Sequence, residues 1–248
     1  MDEHKVAVVT GAGSGIGRAV AIAFADKGYR VTLVGRTRAT LEETAAACAV
    51  PARVAVADVC DEPAVERAFA DTVAAEGRVD VLFNSAGVFG GGRPFGETAF
   101  DDWRRVIDIN LTGSFLASRA AFRAMRDQAP QGGRIIQCGS ISAHTPRPCS
   151  AAYTASKHAI TGLTKSIALD GRAFGIACCQ LDIGNAATPM TASFGHGALQ
   201  ADGSVVAEPT MDVKNVADAA LFVVGLPADA NVLFMTVMAT TMPFVGRG

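Results

Sequence analysis

Long hydrophobic runs are missing from this sequence: no apolar stretch approaches the roughly 20 residues that span a bilayer, so a membrane helix is not expected. The start, Met1 to Lys5, is polar and runs straight into a short apolar strand, which leaves no secretory leader in view. Paired C-x-x-C spacing is also missing. The six cysteines, at 48, 60, 138, 149, 178 and 179, read as reduced thiols of a cytoplasmic protein, with neither a disulfide framework nor a metal site. Charge of one sign is absent too: 22 Lys and Arg stand against 24 Asp and Glu, mixed along the chain for a net charge of -2. Neither nucleic acid nor a membrane surface is therefore an expected partner. No Pro/Ser-rich linker, compositional break or solenoid repeat divides the 248 residues, so 1–248 is expected as a single domain.

What is present is apolar content, with 50% hydrophobic against 19% charged residues, enough to bury a sheet on both faces. Short β-branched runs alternate with longer amphipathic stretches, the pattern of βαβ units. Strands are expected at 6–10, 30–34, 53–57, 79–83, 134–138, 176–181 and 232–237. Helices are expected at 15–27, 38–48, 62–76, 100–126, 151–174 and 213–224. The expected fold class is α/β, a three-layer sandwich around a doubly wound, seven-stranded parallel sheet. Two segments break the pattern: 88–98 is rich in glycine, and 189–209 mixes Gly, Ser and Pro with Met190 and Phe194. Both are expected as substrate loops, the second in the manner of a lid.

The first strand runs into Thr10-Gly11-Ala12-Gly13-Ser14-Gly15-Ile16-Gly17, which opens directly into a helix. Glycines let the backbone approach a pyrophosphate, and the helix N-terminus turns free N–H groups and a positive dipole end toward it. The strict G-x-G-x-x-G spacing is not met, because Ile16 holds the third glycine's place. Position after strand one is what makes the turn a nucleotide site, and it makes the sheet Rossmann-type and the domain dinucleotide-binding. At the end of the second strand, where an acidic residue would accept hydrogen bonds from the adenosine ribose, stand Gly35, Arg36, Thr37 and Arg38. Arg36 can pair with a 2'-phosphate that a carboxylate would repel. NADP(H) is thus expected as the preferred cofactor, with NAD(H) left open. Asp58 and Val59 end the third strand where an adenine would lie, and Asn84-Ser85-Ala86-Gly87 ends the fourth. Both fall at carboxyl ends of strands, where open α/β sheets bind ligands.

Ser140, Tyr153 and Lys157 form a further group. Positions i and i+4 share one helix face, so the Lys157 ammonium reaches the neighbourhood of the Tyr153 ring. An ordinary phenol titrates near ~10, and a cation or a donor held beside one favours phenolate. Tyrosine and lysine four apart also occur on many half-solvated helix faces, so the spacing alone decides nothing. The glycine turn decides it, by placing a nucleotide nearby.

In this order and spacing, the residues resemble the short-chain dehydrogenase/reductase family over essentially the whole chain. The match comprises T-G-x-x-x-G-x-G at Thr10 to Gly17, Asp58-Val59, N-x-A-G at Asn84 to Gly87, Asn110, Ser140 and Tyr153-x-x-x-Lys157. The resemblance implies a catalytic tetrad. Tyr153 would give its proton to a carbonyl oxygen as nicotinamide gives hydride to the carbon, and Ser140 would hold that oxygen. Lys157 would bind the nicotinamide ribose and support the tyrosine, while Asn110 would position a water that relays protons toward Lys157. Cofactor contacts are implied for Gly11, Gly13, Ser14, Gly15, Ile16, Arg36, Asp58, Val59, Asn84, Ala86, Gly87, Tyr153, Lys157, Gly184 and Thr188.

Three departures stand out. Ile183-Gly184 replaces the usual Pro-Gly, although Thr188-Pro189-Met190 keeps the T-x-M portion. Gly13-Ser14 lacks the basic residue common in NADP-dependent members, so Arg36 stands with little help. The tail from 232 lacks the common D-G-G ending, and its methionines read as strand and interface packing. Because the family's last strand often packs on a partner subunit, a homo-oligomer, tetramer or dimer, is implied.

Phe89, Phe95, His144, Arg147, Met190 and Phe194 are candidate pocket walls or exposed loop residues. Asp182 is either a site group or a loop cap. His158 points away from the Tyr153 and Lys157 face, and Cys178-Cys179 read as core. The whole reads as a cytoplasmic, NADP-preferring oxidoreductase for a small-molecule carbonyl or alcohol, with a 3-oxoacyl thioester among the candidate substrates. The alternative is a catalytically silent NADP-binding regulatory protein.

Overall fold

The computed structural model describes residues 4–90 and 92–245, and for 193–196 the backbone alone. Met1, Asp2 and Glu3, Gly91 of the first substrate loop and the Phe194 side chain lie outside the described residues. The elements in chain order are β1 (Val6–Thr10), α1 (Gly15–Asp26), β2 (Arg30–Gly35), α2 (Arg38–Ala46), β3 (Arg53–Val56), α3 (Glu62–Glu76) and β4 (Val81–Asn84). There follow α4 (Phe100–Ile107), α5 (Gly113–Asp127), β5 (Gly133–Cys138), α6 (Ala151–Asp170) and β6 (Ile176–Gly184). A hairpin of β7 (Ala198–Leu199) and β8 (Val205–Val206), then α7 (Lys214–Gly225) and β9 (Phe234–Met238), complete the chain.

The main sheet has seven strands in the order β3-β2-β1-β4-β5-β6-β9, every pairing parallel. Strand order reverses between β1 and β4, which opens a crevice at their carboxyl ends. Alternation along β1 explains the layers. Ala7 and Val9 enter the apolar cluster built with Val20, Phe24, Val216 and Val223 of α1 and α7. Val8 enters the opposite cluster, built with Phe69 of α3, Leu116 and Met125 of α5 and Ile167 of α6. The expected Rossmann-type three-layer sandwich is the observed fold.

Details differ from the sequence expectation. The fourth and seventh strands start two residues later than expected, at Val81 and Phe234. The expected helix 100–126 contains a π turn at Asp108–Thr112 between α4 and α5, and α6 tightens into a 3-10 turn over Gly171–Phe174. A π turn adds a residue without disturbing the apolar face, so periodicity cannot reveal it. The 189–209 segment is not structureless: 3-10 turns cover Pro189–His196, and β7 pairs antiparallel with β8. Asp202-Gly203, with Gly203 at φ +86°, was the available signal for that hairpin. The tail methionines pack within the chain: Met242 is buried with Ile141 and Ala239, and Met238 packs beside them.

Candidate active site

Thr10 ends β1 with its hydroxyl donating to Asn84 Oδ1 at 2.8 Å while accepting from the N–H groups of Ser85 and Ala86. The turn after β4 is thereby fixed against the turn after β1. Gly11 lies in that contact at φ +67°, and a Cβ there would stand 3.0 Å from the Ala86 Cα and N. Gly17 brings α1 closer still, since a Cβ on it would clash with the Gly11 carbonyl oxygen. Ser14 precedes α1 in extended conformation and makes no side-chain cap, and Arg18 N is the first amide returning to Ser14 O. The N–H groups of the first helical turn are left to face the cleft with the positive end of the dipole.

Arg18 braces the turn from behind. Its guanidinium donates to the Gly13 carbonyl at 2.8 Å, to Thr44 Oγ1 at 3.1 Å and to Glu43 Oε2 at 2.8 Å. Thr44 Oγ1 in turn donates to the Ala12 carbonyl. The sequence reading passed over these residues, whose partners lie on α2.

The resulting cleft, about 370 Å³, runs across the switch point. Gly11, Gly13, Ser14, Gly15, Ile16, Arg36, Asp58, Val59, Ala86, Gly87 and Thr188 all line it. Arg36 is exposed on its wall with no ion pair among the described residues, whereas Arg38 pairs with Glu42 at 3.6 Å. Asp58 Oδ1 accepts from Cys60 N, and burial together with this carboxylate pushes the Cys60 thiol up to about 11.

A smaller cavity of about 100 Å³ continues from the cleft, sharing Ile16, Ser85, Gly87, Thr188 and Met190 as walls. Ser140, Tyr153 and Lys157 converge on it with Phe89, Ile141 and Arg147. Lys157 Nζ donates to the Cys138 carbonyl at 2.6 Å and stands 5.6 Å from the Tyr153 ring centroid. The Tyr153 ring packs on Phe89 at 5.1 Å between centroids, and its hydroxyl has no hydrogen bond among the described residues. Ser140 Oγ accepts from Ser142 N, which leaves its O–H to donate. Asp182, fully buried, accepts from Ser140 N at 3.0 Å, from Gln180 Nε2, and contacts His144 Nε2 at 2.7 Å. Asp182 is thus neither a loop cap nor a cavity wall but the anchor of Ser140. Burial pushes the Cys138 thiol up against the opposing pull of Lys157, so that sulfur stays protonated.

Three expected site residues, the cofactor contacts Asn84 and Gly184 and the water-positioning Asn110, do not line the cleft or the cavity. Asn84 does not reach the cleft: alternation turns it from Phe83's side to that of α5, where Nδ2 donates to the Ser114 carbonyl and Gln137 Oε1. Gly184 faces away as well, toward Met242 and Met238, while its neighbours Ile183 and Asn185 line the cavity. Asn110 sits in the π turn, fully buried, and its amide is spent on Val88 N and O and on Ser156 Oγ. It braces the segment after β4 and is not a cavity wall.

The sequence reading also underrated Arg147. It donates to Glu208 at 2.8 and 2.6 Å and to Asn185 Oδ1 at 2.9 Å, 61 residues separating the charged partners. No local signal could have joined them. Burial would raise the Glu208 pKa, but hydrogen bonds from Arg147, Gln200 and Asn185 outweigh it and hold the carboxyl at about 2.

A doubly wound parallel sheet with a glycine turn after β1 and a cleft across its switch point defines a dinucleotide-binding protein. The short chain dehydrogenase family profile matches residues 5–198. A 3beta-hydroxysteroid dehydrogenase of Mediterraneibacter gnavus is 39% identical over 196 residues, 76% of this chain and 68% of that one. A 2-(R)-hydroxypropyl-CoM dehydrogenase of Xanthobacter autotrophicus is 38% identical over 193 residues, 75% of this chain and 76% of that one. A variant of the actinorhodin polyketide ketoreductase, solved with NADPH, superposes with a TM-score of 0.84 at 31% identity, covering 96% of this chain and 97% of that one. The chain belongs to the short-chain dehydrogenase/reductase family. It is an oxidoreductase acting on CH–OH and C=O groups of small molecules with a nicotinamide cofactor. Among the described residues, no helix is long and apolar enough to cross a membrane.

The lowered pKa of Glu208 fixes the sign of its pH dependence. Because the folded value lies below the ordinary 4.5, the network stabilises the fold above about pH 5 and loses that contribution as pH falls from 4.5 to about 2, roughly 3 kcal/mol in all. Urea unfolding along a descending pH series should show this loss in the wild type, and Glu208→Gln should flatten it; parallel curves would refute the assignment.

Proposed function

We propose that this protein is an NADPH-preferring carbonyl reductase, working also in the alcohol-oxidising direction, with Tyr153 as the general acid and base. The observation that carries the proposal is the convergence of Tyr153, Ser140 and Lys157 on a small cavity continuous with the nucleotide cleft. Gly11, Gly13, Ser14, Gly15 and Ile16 would hold the pyrophosphate, Asp58 and Val59 the adenine, and Ala86, Gly87 and Thr188 the nicotinamide half. When bound, the nicotinamide supplies or accepts the hydride.

This chain's residues do the rest. Ser140 O–H donates to the substrate oxygen and stabilises the charge that develops there. Tyr153 O–H, without a hydrogen bond among the described residues, gives that oxygen its proton. Lys157, held by the Cys138 carbonyl, keeps a positive charge beside the phenol ring and in reach of the ribose. Asn110 acts as a positioning residue that fixes Val88 and the α6 residue Ser156. Phe89 confines the tyrosine ring.

The NADP(H) preference rests on Arg36, an exposed guanidinium on the cleft wall with no ion pair among the described residues. A cytoplasmic location accords with six unpaired cysteines. A homo-oligomer, dimer or tetramer, accords with exposed Leu233 and Phe234 at the sheet edge and with Phe115, Leu169 and Phe222 on helix surfaces. A simple ketone and a 3-oxoacyl thioester both satisfy the chemistry of the site.

Two mutations test this reading. Tyr153→Phe should lower kcat for ketone reduction by about a thousandfold while leaving NADPH affinity intact, because general acid catalysis contributes on that order; stopped-flow turnover and fluorescence titration measure the two, and unchanged turnover would sink the assignment. Arg36→Asp should shift the ratio of kcat/KM for NADPH over NADH toward NADH by at least about tenfold, the scale of one charge-assisted contact. A ratio that does not move removes Arg36 from cofactor choice.

A further inference from the structure

The substrate cavity has two cationic side chains on its wall among the described residues, Lys157 and Arg147. Lys157 is engaged by the Cys138 carbonyl. Arg147 arrives already neutralised. Its side chain is 8% exposed and that of Glu208 1%, and the two meet in a two-point pair, Nη1 to Oε1 at 2.8 Å and Nη2 to Oε2 at 2.6 Å. Gln200 Nε2 donates to Oε1 and Asn185 Nδ2 to Oε2, so both carboxylate oxygens are held twice. Glu208 comes from the segment that follows β8, two residues past Val206.

This arrangement discriminates by charge. A carbonyl compound carrying a carboxylate or sulfonate would have to compete with Glu208 for the guanidinium, and drawing apart a buried, hydrogen-bonded ion pair is strongly penalised in a protein interior. An uncharged compound leaves the pair undisturbed and meets apolar surface at Phe89, Ile141 and Met190. We propose that the substrate of this site is an uncharged ketone, aldehyde or alcohol with an apolar substituent, and that Glu208 is the specificity-determining residue that enforces this by silencing Arg147. The proposal rests on the reductase reading above and names its substrate class. Negative design of this kind works by the penalty laid on the wrong ligand.

Pairs of ketones that differ only in charge test it: ethyl acetoacetate against acetoacetate, and methyl pyruvate against pyruvate, each with NADPH. For the wild type, kcat/KM is expected to favour each ester by at least about tenfold. In Glu208→Gln the guanidinium, no longer neutralised by that carboxylate, should admit the substrate's own carboxylate, cutting that preference by about tenfold or more, mainly through a lower KM for the acid. Adding Arg147→Met to Glu208→Gln should abolish the gain. An acid reduced as well as its ester by the wild type overturns the inference, and this measurement stands even where a variant fails to fold. So does an unmoved ratio in a Glu208→Gln protein that stays folded at the assay temperature and binds NADPH as the wild type does. Reduction of neither ester nor acid, with NADPH still bound, overturns the reductase reading and this inference with it; reduction of both without discrimination overturns this inference alone.

Discussion

The hydrogen bond from Thr10 to Asn84 is the constraint on which the rest of the site depends. It ties the carboxyl ends of β1 and β4 where the strand order reverses, and the same hydroxyl receives two amides of the following turn. With those ends tied, the glycine turn can lie against Ala86 with no side chain between them, and α1 points its N-terminus into the crevice. A hydroxyl buried at 1% exposure with three partners is unforgiving, because each partner lost would leave a desolvated polar group. Asn84 completes the tie by spending its amide on Ser114 and Gln137.

Much of this was legible in the sequence, and the reason differs by element. Strands came from β-branched runs, whose seven-stranded parallel arrangement follows from their alternation with helices. The cleft residues were legible because glycines there answer a backbone requirement that a chain cannot meet otherwise. Membership in a motif, however, does not tell which way a side chain turns. Asn84 follows Phe83 by one residue and so takes the opposite face, and Gly184 turns its missing side chain toward the tail methionines. Asn110 lies in a π turn that leaves no trace in apolar spacing. The Arg147 and Glu208 pair joins loops 61 residues apart, and only the folded chain brings them together.

The two halves of the site are built on different principles. At the nucleotide end, the backbone supplies the donors, and the charge is a helix dipole and an exposed Arg36. At the substrate end, the donors are side chains, and the charges are paired before a ligand arrives. Asp182 anchors the Ser140 amide from beneath, and Glu208 quenches Arg147 from above. A cavity so arranged presents two hydroxyl donors, from Ser140 and Tyr153, beside apolar surface from Phe89, Ile141, Ile183 and Met190. The names of relatives point to a steroid, a CoM conjugate and a polyketide, so a shared fold carries one redox step on different substrates.

The central claim is that a nicotinamide seated in the cleft exchanges hydride directly with a carbonyl held by Ser140 and Tyr153. Deuterium transfer tests it most directly: NADPH labelled at C4 in each of its two configurations is incubated with a neutral ketone, and the alcohol is read by mass spectrometry and NMR. The account predicts deuterium at the carbinol carbon from one of the two labels only, because a ring held in one orientation beside Ser140 and Tyr153 would offer one face to the carbonyl. Deuterium in the solvent, transfer from both labels alike, or an unlabelled alcohol would contradict it.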